Sequence, residues 1–255
     1  MPVANKKRLA VLMCGHLRTY KKCLENFKST IVEANKEDYD IDIFVATSNV
    51  VTQRHHDPVI KPSSILKGSK KHPTAYKVNI EETIAELEEC YKPASVILLE
   101  EDLNKYNSYA VNEWNHFKYG VYLKPYLAMK KVKDKQEKEG FRYDAVLRTR
   151  PDVKYRLPVK ISNLKENTIY LPGGWVKNPE RYDDDVYHSD VLAYGDLKTM
   201  NKYTDIHKIN KPLPSKISAE WSERSENQLY LYLKHNKINI KYCLKQRIDY
   251  KVERK

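Results

Sequence analysis

The chain has 255 residues, with 46 Lys or Arg against 34 Asp or Glu, so its formal net charge is +12. Hydrophobic residues make up 41% and include 20 Tyr, a composition that supports a buried core and excludes a disordered chain. Only 11 of the basic residues are Arg, and the 35 Lys are spread along the whole length. This spread favours a solvated surface over a specific nucleic-acid interface, with weak attraction to an anionic membrane left open.

The four cysteines show neither a CxxC pair nor metal-ligand spacing, which favours reduced thiols in a cytoplasmic protein. No apolar run approaches the roughly 20 residues that a membrane span requires. The opening "MPVANKKRLAVLMCG" lacks the length and cleavage site of a signal peptide. Its apolar run is therefore predicted to be a strand, and no transmembrane segment is expected.

Apolar runs and helical periods alternate through the first half of the chain and predict βαβ units around a parallel sheet. Strands are predicted at 8–15, 40–49, 94–102 and 143–152, and helices at 20–35, 80–91 and 111–140. In the last of these helices, Pro125 predicts a kink and Gly140 a C-terminal stop. The aperiodic segment 50–77 predicts a long loop.

The second half has shorter elements, typical of an α+β lobe added to the edge of the sheet. Strands are predicted at 167–175, 190–196 and 238–245, and a helix at 223–236. The fold expected is therefore α/β, with a mostly parallel central sheet flanked by helices and an α+β C-terminal lobe. No linker divides the chain, so we expect one domain with lobes at 1–155 and 156–255.

Ligands of open α/β sheets bind outside the carboxyl ends of the strands. The segments expected at that edge are 15–19 ("GHLRT"), 47–49 ("TSN") and 148–152 ("RTRPD"). Arginines beside a carboxylate suit an anionic ligand, with a divalent cation such as Mg²⁺ or Mn²⁺ as a companion. An ion pair with a purely structural role is the alternative interpretation of "RTRPD".

The seven glycines form neither a GxGxxG nor a GxxxxGK[ST] motif, so a dinucleotide site or a P-loop is not expected. Phosphate would then be bound by arginine side chains and a metal. The sequence also lacks GxSxG, HExxH and a Cys/His nucleophile pair, which argues against hydrolase and zinc-peptidase functions.

Five stretches occur in an order that carries a family resemblance: "RLAVLMCGHLRTY", "DIDIFVATSN", "YDAVLRTRPDVKY", "HSDVLAYGD" and "SENQLYLYLKHN". With them the chain resembles soluble GT-A-type glycosyltransferase-like proteins of bacteria and large DNA viruses. The resemblance covers nearly the whole chain except 50–77 and 176–189. It implies a GT-A-like fold and the transfer of a sugar from a nucleotide-diphosphate sugar, with a UDP-sugar favoured, to a glycan or other hydroxyl acceptor. For a viral protein it implies the host cytoplasm.

The resemblance also implies residue roles. The metal-binding D-x-D element of the family falls on 150–152, where the first position is Arg and only Asp152 can be a carboxylate ligand of Mn²⁺ or Mg²⁺. Arg150, and Arg148 beside it, would then neutralise the diphosphate. The residues expected to line the nucleotide are Gly15, Arg18, Thr19 and Thr47.

An inverting transfer needs a carboxylate that accepts the proton of the acceptor hydroxyl. Asp190 is the first candidate because it begins a predicted strand, and Glu226 and the acids at 183–185 are the others. The acids at 183–185 also fit a solvated loop, and Glu226 fits a helix first turn.

Several conspicuous side chains have a structural interpretation as well. His16 and His188 are expected to be structural, and the aromatic residues Trp114, Tyr119 and Tyr122 are expected in the core. Trp175 fits either the core or a sugar-stacking position.

Two other functions stay open at this stage. One is a protein of the same fold that binds a nucleotide or glycan without catalysis, since the first acid of D-x-D is missing. The other is a basic nucleic-acid-binding protein, which requires Lys and Arg clustered on one face. The donor sugar, the acceptor, the stereochemistry and the oligomeric state are not specified by the sequence.

Overall fold

A computed structural model describes residues 6–53, 74–101, 121–173, 190–209, 212–213, 225–245 and 249–253. Its strands are β1 (Lys7–Cys14), β2 (Tyr39–Ser48), β3 (Val50–Gln53), β4 (Thr74–Lys77), β5 (Ser95–Leu99), β6 (Ala145–Thr149), β7 (Val153–Tyr155), β8 (Thr168–Gly173), β9 (Leu192–Asp196), β10 (Asn239–Lys245) and β11 (Tyr250–Val252). Its α-helices are α1 (Tyr20–Phe27), α2 (Glu33–Asn35), α3 (Ile80–Tyr91), α4 (Leu123–Glu139), α5 (Leu197–Thr204) and α6 (Ser225–His235). A π-helical segment (Lys28–Val32) joins α1 to α2, and a 3₁₀ segment (Asp205–Lys208) follows α5.

Seven strands form one central sheet in the order β10-β8-β9-β6-β1-β2-β5. The pairs β1–β2, β1–β6, β2–β5 and β8–β10 are parallel, while β9 runs antiparallel to both of its neighbours. The protein is thus α/β with a mostly parallel sheet, as predicted, and the arrangement is compatible with a Rossmann-like fold. Strands from both halves of the chain belong to the same sheet, which β9 links through its pairing with β6.

Helices cover both faces of this sheet because its central strands are apolar on both sides. Alternate residues of β1 belong to separate core clusters, with Val11 in one and Leu12 in the other. The first cluster includes apolar residues of α1 and α3, and the second includes those of α4, α5 and α6. Three layers result, with the sheet in the middle.

The predicted bounds of α3 and the predicted stop of α4 at Gly140 are confirmed. Asn79 caps α3 by accepting a hydrogen bond from the backbone N–H of Glu82 at 3.2 Å, and the helix spans the predicted residues. Gly140 ends α4 with a φ of +69°, a left-handed conformation that glycine adopts readily. Pro125 is the third residue of α4, and residues 121 and 122 directly before that helix are π-helical, so the kink expected at Pro125 stays a prediction.

Other sequence predictions were wrong or incomplete. The predicted loop 50–77 has ordered ends, since β3 and β4 pair as antiparallel strands, and residues 54–73 lie outside the described ones. Val50 and Val51 are buried, and β-branched residues favour strands. Helix α5 was not predicted, although Asp196 caps it by accepting a hydrogen bond from the Thr199 N–H at 2.8 Å. Residues 111–120 of the predicted helix 111–140, which include Trp114 and Tyr119, lie outside the described part.

In the part of the chain that the structure describes, no helix combines the length and the apolar character needed to cross a membrane. The four cysteines are free, and Cys14 is buried in the second core cluster as a small apolar side chain.

Gly195 allows β9 to approach β8, and its replacement is the first testable change. A Cβ at Gly195 would lie 2.9 Å from the backbone oxygen of Thr168, so Gly195→Ala forces the two strands apart. We expect it to lower the free energy of unfolding by about 1–3 kcal/mol in urea denaturation. Gly173→Ala on β8 is the control, because its Cβ would meet only the ordinary 3.6 Å contact with Tyr242, and its effect should be about 0.5 kcal/mol or less. Equal effects of the two changes would contradict the steric explanation.

Candidate functional site

The loops after β1 and β6 meet at the carboxyl edge of the sheet. β1 has β2 and then β5 on one side and β6 on the other, so the connections leaving β1 and β6 diverge at this point. Such a switch point is where open α/β sheets bind ligands. The charged residues that converge there come from these two loops, from the end of β6 and from the segment just before β9: Arg18, Arg148, Arg150, Asp152 and Asp190. We refer to these five residues as the arginine cluster.

Asp152 is the buried centre of the arginine cluster, and its side chain has no exposed surface. Arg150 donates from Nε to Oδ1 at 2.9 Å and from Nη2 to Oδ2 at 2.8 Å, a bidentate arrangement. The Nη1 atom of Arg18 lies 3.8 Å from Oδ2 of the same carboxylate. The ion pair that was one interpretation of "RTRPD" is therefore present, within a larger group of charges.

Asp190 joins the cluster because β9 is antiparallel to β6. Leu192 pairs with Thr149 at the end of β6, so Asp190, two residues before β9, lies at the carboxyl edge. The Oδ2 atom of Asp190 is 3.8 Å from Nη1 of Arg150 and 4.0 Å from Nη2 of Arg148. Its side chain is 17% exposed, so the first candidate for the catalytic base is open to solvent beside two guanidinium groups.

Arg148 is almost completely buried, with 2% of its side chain exposed. Its Nε and Nη1 atoms have no hydrogen-bond acceptor within the described part of the chain. Burial pushes the pKa of Arg148 down, but Tyr203 and Asp190 raise it overall, so the group stays charged. Burial raises the pKa of Tyr203 to about 12, and at neutral pH Tyr203 is therefore uncharged while Asp190 supplies the negative charge.

Gly15 allows the loop after β1 to pack against the loop after β6. Its φ of +152° suits glycine, and a Cβ there would lie 3.3 Å from Cδ of Pro151 and 3.4 Å from Cγ of Arg150. Thr47, which is buried, donates a hydrogen bond to the Gly15 carbonyl at 2.7 Å. In this structure Gly15 and Thr47 thus position the loop, and their predicted contact with a nucleotide stays a prediction.

A strand near the end of the sequence ties the two loops together. β11 pairs with β7 directly after Asp152, and the Glu253 N–H donates to the Asp152 carbonyl at 2.8 Å. The hydroxyl of Thr19, predicted to line the nucleotide, donates to the Glu253 carbonyl at 2.9 Å. The sequence contains no clear signal for this contact, because a three-residue strand has no recognisable period.

A second buried polar group adjoins the cluster and was not predicted. The Lys124 side chain is 1% exposed, and its Nζ lies 3.2 Å from Oε1 of Glu101. The Glu101 N–H donates to Oδ1 of Asn49 at 2.9 Å, which connects the end of β5 to the residue after β2. The sequence signal was slight: Lys124 stands one position before Pro125 in an otherwise apolar stretch.

His16 has the structural role that was expected of it. It is buried, and its Nδ1 lies 3.3 Å from the carbonyl of Val50, to which the neutral ring can donate. Burial lowers the pKa of His16 well below its usual value, and the positive charges of Lys124 and Arg18 lower it further. His16 therefore stays neutral under conditions that protonate an exposed histidine.

An open groove of about 310 Å³ runs along the first turn of α1, and of the five residues of the arginine cluster Arg18 contributes to its lining. Its lining includes Arg18 and Thr19 on one side and the β4–α3 region on the other, where Tyr76 and Glu86 lie. The groove gives a ligand held at Arg18 room to continue across the surface.

Some predicted site residues are not brought into this arrangement. Glu226 lies in the first turn of α6, but its side chain is not described. The acids at 183–185, Trp175 and His188 lie outside the described residues. Tyr122 is fully buried in the second core cluster, as predicted.

The arrangement at Asp152 does not fit a bound divalent cation. A metal ligand needs an available carboxylate oxygen, and both Asp152 oxygens accept from Arg150. Across the described ranges, no three His, Cys, Asp or Glu side chains are grouped as metal ligands. The Mn²⁺ or Mg²⁺ predicted at Asp152 stays a prediction, and the geometry favours arginine in its place.

No protein-family model matches the chain, and no curated protein matches it at a significant level. The residues of the arginine cluster and the fold that positions them are therefore the basis for assigning a function.

The neutral state of His16 has a consequence for stability against pH. The unfolded chain protonates this histidine below pH 6.5 or so, whereas the folded protein resists protonation, so the free energy of unfolding falls as the pH drops. We expect His16→Gln to reduce the loss between pH 7 and pH 5 by about 1–2 kcal/mol in urea denaturation. His235→Gln, which replaces an exposed histidine, is the matched control. An identical pH dependence for the wild type and His16→Gln would contradict the buried neutral histidine.

Proposed function

We propose that the protein is a GT-A-like glycosyltransferase. It transfers a sugar from a nucleotide-diphosphate sugar, with a UDP-sugar as the first candidate, to a hydroxyl of a glycan or other acceptor. The observation that carries the proposal is the arginine cluster, in which three guanidinium groups meet two carboxylates at the switch point of the sheet. A cytoplasmic location is part of the same proposal.

The chemistry of glycosyl transfer suits these residues. The bond between the anomeric carbon and the diphosphate oxygen breaks, and its electron pair leaves with the diphosphate. Arg18, Arg148 and Arg150 are placed to stabilise that negative charge, which is the main electrostatic requirement of the reaction. The acceptor oxygen forms the new bond, and its proton passes to a carboxylate.

Asp190 is the described carboxylate best suited to accept that proton. It is partly exposed, whereas Asp152 is fully buried with both oxygens bonded to Arg150. The neighbouring Arg148 and Arg150 limit the positions that the carboxylate can take. Asp190 therefore has the role of general base, and Asp152 holds Arg150.

A non-catalytic nucleotide- or glycan-binding protein of the same fold is the second candidate. One observation favours it. Arg stands at position 150, the first position of the D-x-D element, and both oxygens of the remaining acid, Asp152, accept hydrogen bonds from that arginine. Such a protein would bind the donor and leave it intact.

Donor binding tests the proposal directly. A panel of UDP-, GDP- and TDP-sugars should include at least one that raises the melting temperature, because a ligand specific for the folded state stabilises it. The same ligand should release its nucleoside diphosphate when an acceptor is supplied, which a coupled assay measures. Stabilisation without release would favour the second candidate, and no stabilisation by any donor would contradict the transferase and a nucleotide-binding form of the second candidate.

Removal of the base separates catalysis from binding. Asp190→Asn keeps the shape of the side chain but cannot accept the proton, so kcat should fall by about 10²-fold or more while the donor still binds. Asp40→Asn is the control, because Asp40 is exposed at the opposite end of the sheet, near the start of β2. Unchanged turnover in Asp190→Asn would exclude Asp190 as the base.

A further inference from the structure

Arg148 is a buried cation whose hydrogen-bonding capacity is mostly unused. Its Nε and Nη1 atoms find no acceptor among the described residues, and the guanidinium is 2% exposed. Its Nη2 lies 4.0 Å from Asp190, beyond the range of a hydrogen bond. Buried donors are nearly always paired, so these guanidinium donors point to a partner beyond the described residues, for which a bound ligand has suitable chemistry.

Asp152 cannot be that partner because Arg150 already occupies it. The two Arg150–Asp152 hydrogen bonds of 2.9 and 2.8 Å use both carboxylate oxygens, and Arg18 approaches the same group. A divalent cation at Asp152 would have to compete with the guanidinium of Arg150 for a buried carboxylate oxygen. It would also add two positive charges to a cluster that already has an excess of one.

The accessible part of the cluster is the side that Arg18, Arg150 and Asp190 share. Their side chains are 12%, 15% and 17% exposed, and Arg148 lies behind Asp190. Guanidinium groups contact both carboxylates, so the donors extend across the cluster instead of converging on one point. Such an arrangement suits an anion with several oxygens on two centres, as in a diphosphate.

We infer that the arginine cluster is a metal-independent diphosphate site. Arg148 is its innermost donor, Arg18 and Arg150 are its outer donors, and Asp152 holds Arg150 in place. This inference deepens the proposed function, on which it rests for the nucleotide-sugar part of the ligand. The diphosphate part can be tested separately with inorganic pyrophosphate.

Isothermal titration with sodium pyrophosphate in excess EDTA is the direct experiment. The wild-type protein should bind, and Arg148→Gln should weaken binding about tenfold or more because its buried charge is lost. Arg142→Gln is the matched control, since Arg142 is an exposed arginine before β6, at the opposite end of that strand. A parallel titration with UDP should give the same Kd within about twofold with EDTA or with Mg²⁺.

Thermal stability distinguishes a binding role of Arg148 from a structural one. Arg148→Gln removes a buried charge whose donors are unused. The melting temperature of this variant should therefore equal or exceed that of the wild type, and its binding of pyrophosphate should be lost. A lower melting temperature together with retained binding would overturn the inference. If Arg148→Gln does not fold, Arg18→Gln and Arg148→Lys carry the test, since both should weaken pyrophosphate binding in EDTA.

The outcomes separate this inference from the proposed function. Pyrophosphate binding in EDTA without turnover of any nucleotide sugar supports the site and contradicts the transferase. Sugar transfer that requires Mg²⁺ or Mn²⁺, with no pyrophosphate binding in EDTA, supports the transferase and overturns the metal-independent site.

Discussion

A carboxylate with no exposed surface has to find its compensating charge within the protein, and the site depends on how Asp152 does so. Arg150 supplies two hydrogen bonds to it across the turn between β6 and β7, which fixes the shape of that turn. The turn then places Pro151 against Gly15, and the Asp152 backbone accepts the hydrogen bond from Glu253. Loss of this one ion pair would release three segments of the chain at once.

The contacts that Asp190 makes with the arginines are longer than those between Arg150 and Asp152. Arg150 and Asp152 are in hydrogen-bond contact, whereas Asp190 is held at 3.8 and 4.0 Å from its two arginines. The close pair is a fixed part of the scaffold, and the looser contacts leave positive charge for an incoming anion. A surface with a net charge of +12 adds a general attraction for such ligands, but the scattered lysines behind that charge do not specify any of them.

Much of the fold was predictable because its elements have clear periods and end signals. The apolar run of β1 and the capped acidic helix α3 are where their patterns place them. Helix α5 and the pairing of β3 with β4 were missed because a cap residue or a pair of valines is a weak signal alone.

The candidate site was predictable only in part. The predicted strand ends placed the loops after β1 and β6 at the same edge of the sheet. That Arg150 pairs with Asp152 depends on side-chain packing, which the sequence pattern does not specify. The contact of Thr19 with Glu253 joins positions 234 residues apart, which no local pattern reveals.

That separation has a consequence for how the protein acquires its site during folding. β6 pairs with β1 although more than a hundred residues separate the two strands along the chain, and β11 comes far later still. Chains whose key contacts are so distant along the sequence fold slowly, because long loops must close before those contacts form. On a ribosome, Asp152 emerges well before β11, which pairs with the strand that follows it. The arrangement around Asp152 should therefore be complete in newly made protein only after β11 has paired with β7.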